Sequence, residues 1–304
     1  MHKLIINLPN RQNRLINTIN ELRKVGLSDI VSIFEAKTPE YSKKNFFNIL
    51  HKDALLNIKN PKNTNIIPNY KAVACAFSHL KCWEYIMDND IKNCLIIEDD
   101  IEIIDKEIFL MDYNNMLEYI NKSNINNKAI FISFNSEDFN CEYLNIQNIN
   151  NNEFYSKNGY NGIKKLNRPI IGTHFYYINK KMARYLISSL KKIKYQIDIE
   201  IGLLSMIKEN FDKTRIFGNI ICKSIIQSKK YVSDIQNYLI SVNEMNSVFL
   251  FKIDANLCKI IYDYIPKMYK TDRKLQKLNI QKKYRSINDY LDSSHYWYNY
   301  YINR

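Results

Sequence analysis

Short apolar runs and amphipathic stretches alternate along the chain up to about residue 230. The apolar runs predict strands over residues 3–8, 30–34, 95–97, 101–104, 129–134, 173–178 and 220–226. Apolar residues at helical spacing predict helices over residues 15–26, 72–87, 109–120, 180–190 and 202–209, with a further helix over 46–57 as an option. Such alternation is typical of an α/β fold around a mostly parallel sheet.

The pattern changes near residue 235 and divides the chain. We predict an α/β domain over residues 1–235 and a basic, Tyr-rich, helical C-terminal cap or extension over residues 236–304. An Asn-rich stretch over residues 135–161 has few apolar anchors and predicts a long loop. Basic residues in the extension recur three and four positions apart, which places them on one helix face: Lys267, Lys270, Arg273, Lys274 and Lys277.

The strand over residues 95–97 ends in three consecutive carboxylates, Glu98, Asp99 and Asp100. Its apolar residues suit burial on both faces of a sheet. Because an unpaired buried carboxylate is strongly disfavoured, the acids must lie at the rim of the sheet, where open α/β sheets bind ligands. Clustered oxygen ligands there suit Mg²⁺ or Mn²⁺ holding a phosphate, and a solvated acidic turn is the alternative.

The composition favours an anionic partner. The 304 residues carry a net charge of +13, with a pI near 9.2, which suits nucleic acid, phosphorylated sugars or an anionic membrane surface. The six cysteines lack paired metal spacing and predict reduced core thiols. With no signal peptide and no apolar run near the roughly 18 residues that span a bilayer, we expect a soluble, cytoplasmic protein. Association with a membrane surface or a host cell is the alternative.

Three blocks of the sequence resemble glycosyltransferase family 25. Residues 5–14, IINLPNRQNR, are similar to the family's opening INLxxRxxR. Residues 74–83, ACAFSHLKCW, resemble its GCxxSHxxxW helix, and residues 95–100, LIIEDD, resemble its LIxEDD strand end. The blocks follow the family's order. The resemblance extends more faintly to about residue 235, over residues 172–190, at 197–198 and over 225–234. The last of these segments ends in YVSD, which is similar to the collagen-modifying branch of the family.

The resemblance implies a Rossmann-like glycosyltransferase A-type fold and transfer of a hexose, galactose or glucose, from a UDP-sugar to a hydroxyl. The expected acceptor is a saccharide, as in lipooligosaccharide synthesis, or hydroxylysine of a collagen-like protein, and the YVSD segment slightly favours the second. Transfer is expected to proceed with inversion and with Mn²⁺ or Mg²⁺. No nucleic-acid partner is expected, and the oligomeric state, a homodimer included, stays open. The alternative is a non-enzymatic, basic nucleic-acid-binding protein with a degenerate transferase fold.

The acidic block is expected to hold the metal. A divalent ion that bridges the two phosphates of a UDP-sugar stabilises the charge of the leaving group. Asp100 is the expected ligand, and Asp99 is a second ligand or an acceptor for a sugar hydroxyl. Glu98 is expected to face the nucleoside.

The two other blocks supply the remaining donor-binding candidates, which are Asn7, Arg11, Arg14, Ser78 and His79. Guanidinium groups match phosphate oxygens, so the arginines suit the diphosphate, with a solvated helix start as the alternative. Ser78 and His79 lie within an apolar helix. They either contact the donor and orient the acidic loop, or satisfy backbone groups in the core.

Inverting transfer also needs a base that takes the proton of the acceptor hydroxyl. Asp198 is the candidate, and Glu200 is its rival on the same face if this segment is extended. Either can instead be an ion-pair partner of Lys192 or Lys194. His174 is a further candidate on the acceptor side.

The sequence also departs from the family pattern. Lys71 and Ala74 occupy positions where the family tends to have glycine. The collagen-modifying branch has a histidine suited to metal binding before the tyrosine at position 231, where this chain reads QSKK over residues 227–230. The third metal ligand is then left to water, Gln227 or Asp234, and a metal-independent or inactive enzyme is the alternative.

Overall fold

Helices and strands alternate through the described part of the chain. The computed structural model describes residues 1–45, 49–60, 66–121, 127–135, 163–165, 172–206, 215–220, 223–228 and 230–231. The first elements are β1 (His2–Asn7), α1 (Gln12–Lys24), β2 (Val31–Glu35), α2 (Pro39–Asn45), α3 (Lys52–Lys59), α4 (Tyr70–Asp88), β3 (Asn93–Glu98) and β4 (Ile101–Ile103). The later elements are α5 (Lys106–Asn121), β5 (Ala129–Ser133), β6 (Ile163–Lys165), β7 (Phe175–Asn179), α6 (Lys180–Ser189), α7 (Ile197–Met206), β8 (Arg215–Ile220) and β9 (Ile225–Gln227).

Seven strands form a central sheet in the order β2-β1-β3-β7-β5-β8-β6. Strands β1, β2, β3, β5 and β8 run in one direction, and β6 and β7 run in the other. The prediction of an α/β fold with a mostly parallel sheet is therefore confirmed. Strands β4 and β9 pair separately as an antiparallel two-stranded sheet.

The strand directions bring three chain segments to one edge of the sheet. Parallel pairing of β1 with β3 places Ile6 opposite Glu98, so both strands end together. Because β7 is antiparallel to β3, with Phe175 opposite Ile97, the residues just before β7 reach the same edge.

The sheet is buried on both faces. Alternate residues of β3 point to opposite sides, so Ile96 joins one apolar cluster while Leu95 and Ile97 join the other. Helix α4 covers the first face with Trp83 at its centre, and helices α1 and α5 cover the second. This arrangement explains why the four central residues of β3, 94–97, are all apolar and buried.

Helix α4 is placed by its cap and its small residues. Asn69 precedes the first turn, and its Oδ1 accepts a hydrogen bond of 2.9 Å from the backbone N–H of Ala72. The buried Ala72, Ala74 and Ala76 let the first half of the helix approach its neighbours closely. Ser78 and His79 are thereby held at the sheet edge.

Three predicted elements differ from the structure. The helix predicted over residues 202–209 begins at Ile197, because the alternating sequence IDIEI looks extended although its two acids lie in the helix's first turn. The strand predicted over residues 220–226 is two strands, β8 and β9, which belong to different sheets. In place of a helix over 46–57, helices cover 39–45 and 52–59.

The predictions for residues 236–304 and for most of the loop over residues 135–161 lie outside the described residues. The domain boundary near residue 235 stays a prediction. Within the described helices, none combines the length and the apolar character needed to cross a membrane.

We expect Asn179→Ala to lower the free energy of unfolding by about 2–4 kcal/mol. The buried Asn179 caps α6 through the N–H of Met182, accepts the N–H of Ile130 on β5, and donates to the carbonyl of Lys128. Urea unfolding followed by circular dichroism measures the loss. The exposed Asn89→Ala is the matched control and should stay within about 0.5 kcal/mol of the parent protein. Equal stability of both variants would contradict this account.

Candidate active site

A cavity of about 490 Å³ opens at the sheet edge where β1 and β3 end. Its walls are the turn after β1, the loop after β2, the first half of α4, and the three acids. Basic side chains line it together with these acids, namely Arg11, Arg14, Lys37 and Lys71. The cavity therefore offers cationic and anionic groups to one ligand. Lys71, which stands in place of a glycine, adds a positive charge to this wall.

The first of the three acids, Glu98, is held by residues from α4 and the start of β7. Its Oε1 lies 2.6 Å from Thr173 Oγ1, which donates to it, and 3.1 Å from His79 Nε2. Its Oε2 lies 3.2 Å from His174 Nδ1. Burial opposes ionisation of Glu98, but the hydrogen bonds from His174 and His79 outweigh it and hold its pKa well below the usual value.

A buried hydrogen-bond chain supports His79. Trp83 Nε1 donates to the hydroxyl of Tyr176 at 3.0 Å, and this hydroxyl lies 2.8 Å from His79 Nδ1. The Tyr176 hydroxyl, which accepts from Trp83, can donate its proton to His79 Nδ1, and His79 Nε2–H can then point at Glu98. His79 and Trp83 lie one helical turn apart on α4. The SHxxxW spacing therefore lets both side chains contact the same Tyr176 hydroxyl.

The second acid, Asp99, points toward β1 and α1. Its Oδ2 accepts a hydrogen bond of 2.7 Å from Asn7 Nδ2, and its Oδ1 lies 3.7 Å from Arg14 NH1. Burial, followed by the neighbouring charge of Asp100, raises the pKa of Asp99 to about 6. Asn7 and Arg14 thus contact the acidic block, and their predicted role in donor binding stays a prediction.

The third acid, Asp100, has one satisfied and one unsatisfied oxygen. Its Oδ2 accepts a hydrogen bond of 2.9 Å from Gln227 Nε2 and lies 3.6 Å from Arg14 NH1. Its Oδ1 is buried and has no hydrogen-bond partner among the described residues. Burial raises the pKa of Asp100. A buried carboxylate oxygen without a partner is costly, so this position favours a cation.

Ser78 connects two parts of the cavity wall through hydrogen bonds. Its hydroxyl donates to the carbonyl of Ala74 at 2.8 Å and accepts from the backbone N–H of Lys37 at 2.8 Å. The loop after β2 is thereby tied to α4. Ser78 lines the cavity, but both of its hydrogen bonds are structural.

Comparison with known proteins agrees with these motifs. The family profile described as "Glycosyltransferase family 25 (LPS biosynthesis protein)" matches residues 1–201. The chain belongs to glycosyltransferase family 25. The family match and the mostly parallel sheet confirm the predicted Rossmann-like glycosyltransferase A-type fold. No curated protein sequence matches the chain significantly.

Two solved glycosyltransferase structures are similar to this family 25 chain. One is the galactosyltransferase LgtC in complex with donor and acceptor sugar analogues, with 11% identity, a TM-score of 0.35, and coverage of 82% of this chain and 97% of that chain. The other is mouse xyloside xylosyltransferase 1 in its apo form, with 10% identity, a TM-score of 0.33, and coverage of 66% of this chain and 79% of that chain.

In this glycosyltransferase, the groups that fit a metal are Glu98, Asp100 and His174. One ligand atom from each lies within 4.8 Å of the others. Glu98 ends β3, and Asp99 and Asp100 form the turn that follows. In this turn Asp99 points to Asn7, whereas Glu98 and Asp100 both face His174. The geometry therefore favours Glu98, in place of Asp99, as the carboxylate that joins Asp100. Asp99 keeps its alternative role as an acceptor for a sugar hydroxyl.

The two predicted bases are not brought together. Because residues 197–206 are helical, Asp198 and Glu200 do not share the face expected for an extended segment. Asp198 Oδ2 accepts from the N–H of Gly172 at 2.7 Å, and its Oδ1 accepts from the N–H of Ile199 at 2.8 Å. Glu200 Oε1 accepts from the N–H groups of residues 194 and 195. The catalytic role of either acid stays a prediction, and this geometry favours structural roles through backbone groups.

We expect Glu200→Ala to lower the free energy of unfolding by about 2–3 kcal/mol, because two backbone N–H groups lose their acceptor. Glu200→Gln keeps a carbonyl oxygen and should lose about 1 kcal/mol or less. Chemical unfolding measures both, with Glu84→Ala, whose partner Lys81 is on the same helix, as the surface control. A Glu200→Ala variant with unchanged stability and abolished transfer would restore Glu200 as the base.

Proposed function

We propose that this protein transfers galactose or glucose from the UDP-sugar to a hydroxyl group, with the help of a divalent metal and with inversion. Membership of glycosyltransferase family 25 supports sugar transfer as the reaction class. The observation that carries the finer proposal is the buried, unpartnered Oδ1 of Asp100, which lies in an acidic cluster beside a basic cavity. A metal-bound diphosphate is complementary to both.

The charge arrangement favours a nucleoside diphosphate over a neutral ligand. Arg11, Arg14, Lys37 and Lys71 line one cavity with the three acids. Guanidinium groups bind phosphate oxygens through paired hydrogen bonds, so Arg11 and Arg14 are placed to hold the diphosphate. The acids would repel that diphosphate unless a cation lay between them. Anionic donor and metal therefore require each other at this edge of the sheet.

The residues present fit Mn²⁺ or Mg²⁺ at Glu98 and Asp100. Hard carboxylate oxygens are the ligands that both ions prefer. When bound, such an ion would act as a Lewis acid for the diphosphate and orient it. Asn7 and Arg14 hold Asp99 outside this pair of ligands, where its carboxylate can accept a sugar hydroxyl.

The transfer step needs a positioned acceptor and a base. The acceptor oxygen forms a bond to the anomeric carbon while the bond from that carbon to the diphosphate oxygen breaks, and its electron pair leaves with UDP. The proton of the acceptor hydroxyl passes to a base. Asp198 and Glu200 stay the predicted bases. The acceptor is a saccharide or a collagen-like hydroxylysine, and the catalytic domain is proposed to span residues 1–235.

A donor screen tests this proposal. With Mn²⁺ present, we expect the protein to release UDP from UDP-galactose or UDP-glucose, and to release it faster when a suitable acceptor hydroxyl is added. Asp100→Asn should lower this rate at least about 100-fold, since it weakens the charge that holds the metal. The exposed Asp88→Asn, at the end of α4, is the matched control and should keep the parent rate. Full activity of Asp100→Asn, or no turnover of any UDP-hexose with any hydroxyl acceptor, would contradict the proposal.

A further inference from the structure

We infer that His174 is the nitrogen ligand of the metal and completes a shell with Glu98 and Asp100. This inference rests on the metal-assisted function proposed above. It replaces Gln227 and Asp234 as candidates for the third protein ligand. Asp234 lies outside the described residues.

The distances suit a shared ion. His174 Nδ1 lies 3.2 Å from Glu98 Oε2 and 3.9 Å from Asp100 Oδ1. Two adjacent ligands at about 2.1 Å from an octahedral ion are about 3 Å apart, and two opposite ligands are about 4.2 Å apart. The observed separations fall in this range. The three ligand atoms all lie within 4.8 Å of one another, so a small side-chain shift would bring them into one coordination shell.

Asp100 points its unsatisfied oxygen at this place. The residue is 5% exposed, and its Oδ1 lies 3.9 Å from His174 Nδ1 but accepts no hydrogen bond within the part of the chain that the structure describes. The other oxygen is held by Gln227 Nε2. Gln227 thus presents a donor to Asp100, which makes it a positioning residue for that carboxylate. The amide orientation follows from this hydrogen bond.

The backbone just before β7 holds His174 next to Glu98 and Asp100. Gly172 has a φ of +79°, and a Cβ at this position would lie 2.5 Å from His174 Nε2. Only glycine leaves room for the imidazole here. The N–H of Gly172 is held by Asp198 Oδ2, and the carbonyl of His174 accepts the N–H of Glu98 at 2.8 Å. Asp198 is therefore assigned as a positioning residue for the segment that carries His174.

The other histidine near Glu98, His79, has hydrogen-bonding contacts at both ring nitrogens. His79 contacts Tyr176 through Nδ1, and it contacts Glu98 and Thr173 through Nε2. A metal at His79 would disrupt the buried hydrogen bonds that run from Trp83 through Tyr176 to Glu98, whereas a metal at His174 Nδ1 would take the place of its hydrogen bond to Glu98 Oε2. Cys75, the third member of the alternative group with His79 and Glu98, offers a soft sulfur that Mn²⁺ and Mg²⁺ disfavour. His174 is the better nitrogen ligand on both grounds.

Pulsed electron paramagnetic resonance of the full chain with Mn²⁺ and UDP tests His174 directly. We expect modulation from a directly coordinated imidazole nitrogen, which changes when the protein is labelled with ¹⁵N-histidine. His174→Asn should lose this modulation and bind Mn²⁺ at least about 10-fold more weakly. His51→Asn is the matched control, because His51 caps α3 and asparagine is also a good cap. It should keep both properties.

The outcomes separate the two proposals. If no Mn²⁺ binds the parent protein, the metal-assisted function fails. If Mn²⁺ binds and Asp100→Asn weakens it, but the nitrogen modulation persists in a folded His174→Asn variant, only the assignment of His174 is overturned.

The positioning role of Asp198 has its own test. We expect Asp198→Asn to weaken Mn²⁺ binding about 10-fold, and excess Mn²⁺ to restore most of the transfer rate. A variant with unchanged Mn²⁺ affinity and a kcat lowered by about 10²-fold or more would overturn this role and favour Asp198 as the base.

Discussion

Three neighbouring carboxylates must be stabilised at the end of β3 at little exposure to water, and this constraint shapes the site. Asp99 and Asp100 are 9% and 5% exposed. Desolvation alone would keep such groups neutral, and mutual repulsion would add to the cost. In the structure, each of the three acids contacts a different set of side chains. Glu98 faces histidines, Asp99 faces Asn7 and Arg14, and Asp100 faces Gln227 with one oxygen.

The arrangement of the fold follows from where these partners must lie. Strand β1 runs parallel to β3 and ends beside it, which supplies Asn7. Strand β7 runs the opposite way and therefore begins at the same edge, which supplies His174. Strand β9 pairs with β4 just past the acids and brings Gln227 to Asp100. The antiparallel β7 lies between β3 and β5, which run in the opposite direction, and His174 immediately precedes it.

The three carboxylates differ in how well their negative charge is stabilised by neighbouring groups. This difference connects the structure with the proposed binding of a metal ion. Glu98 has hydrogen-bond partners at both oxygens, and these hold its pKa well below the usual value. Asp100 retains an unpartnered oxygen, which would be a defect in a purely structural carboxylate. Sites that bind substrates or ions commonly keep such local costs because the ligand removes them. The basic residues across the cavity then suit a ligand that carries its own negative charge.

The sequence predicted those structural features that depend on residues close together in the chain. The apolar run before Glu98 and the apolar face of α4 predicted elements that the structure contains. The sequence was insufficient where contacts are distant. Nothing near residue 98 indicates that Thr173 and Tyr176 would complete its hydrogen-bond network.

The acids at residues 198 and 200 show a different limit. Their alternation with isoleucine is compatible with a strand, whereas the helix α7 is stabilised by acids in its first turn and by the backbone groups they accept. Local pattern therefore misplaced the start of the helix and with it the expected faces of Asp198 and Glu200.

The central claim is that donor and metal occupy one site in which each stabilises the other. Isothermal titration of UDP with and without saturating Mn²⁺ measures this coupling directly. The account predicts that Mn²⁺ tightens UDP binding at least about 10-fold, which corresponds to a coupling free energy of about 1.4 kcal/mol. Equal UDP affinity in the presence and absence of Mn²⁺ and Mg²⁺ would contradict it.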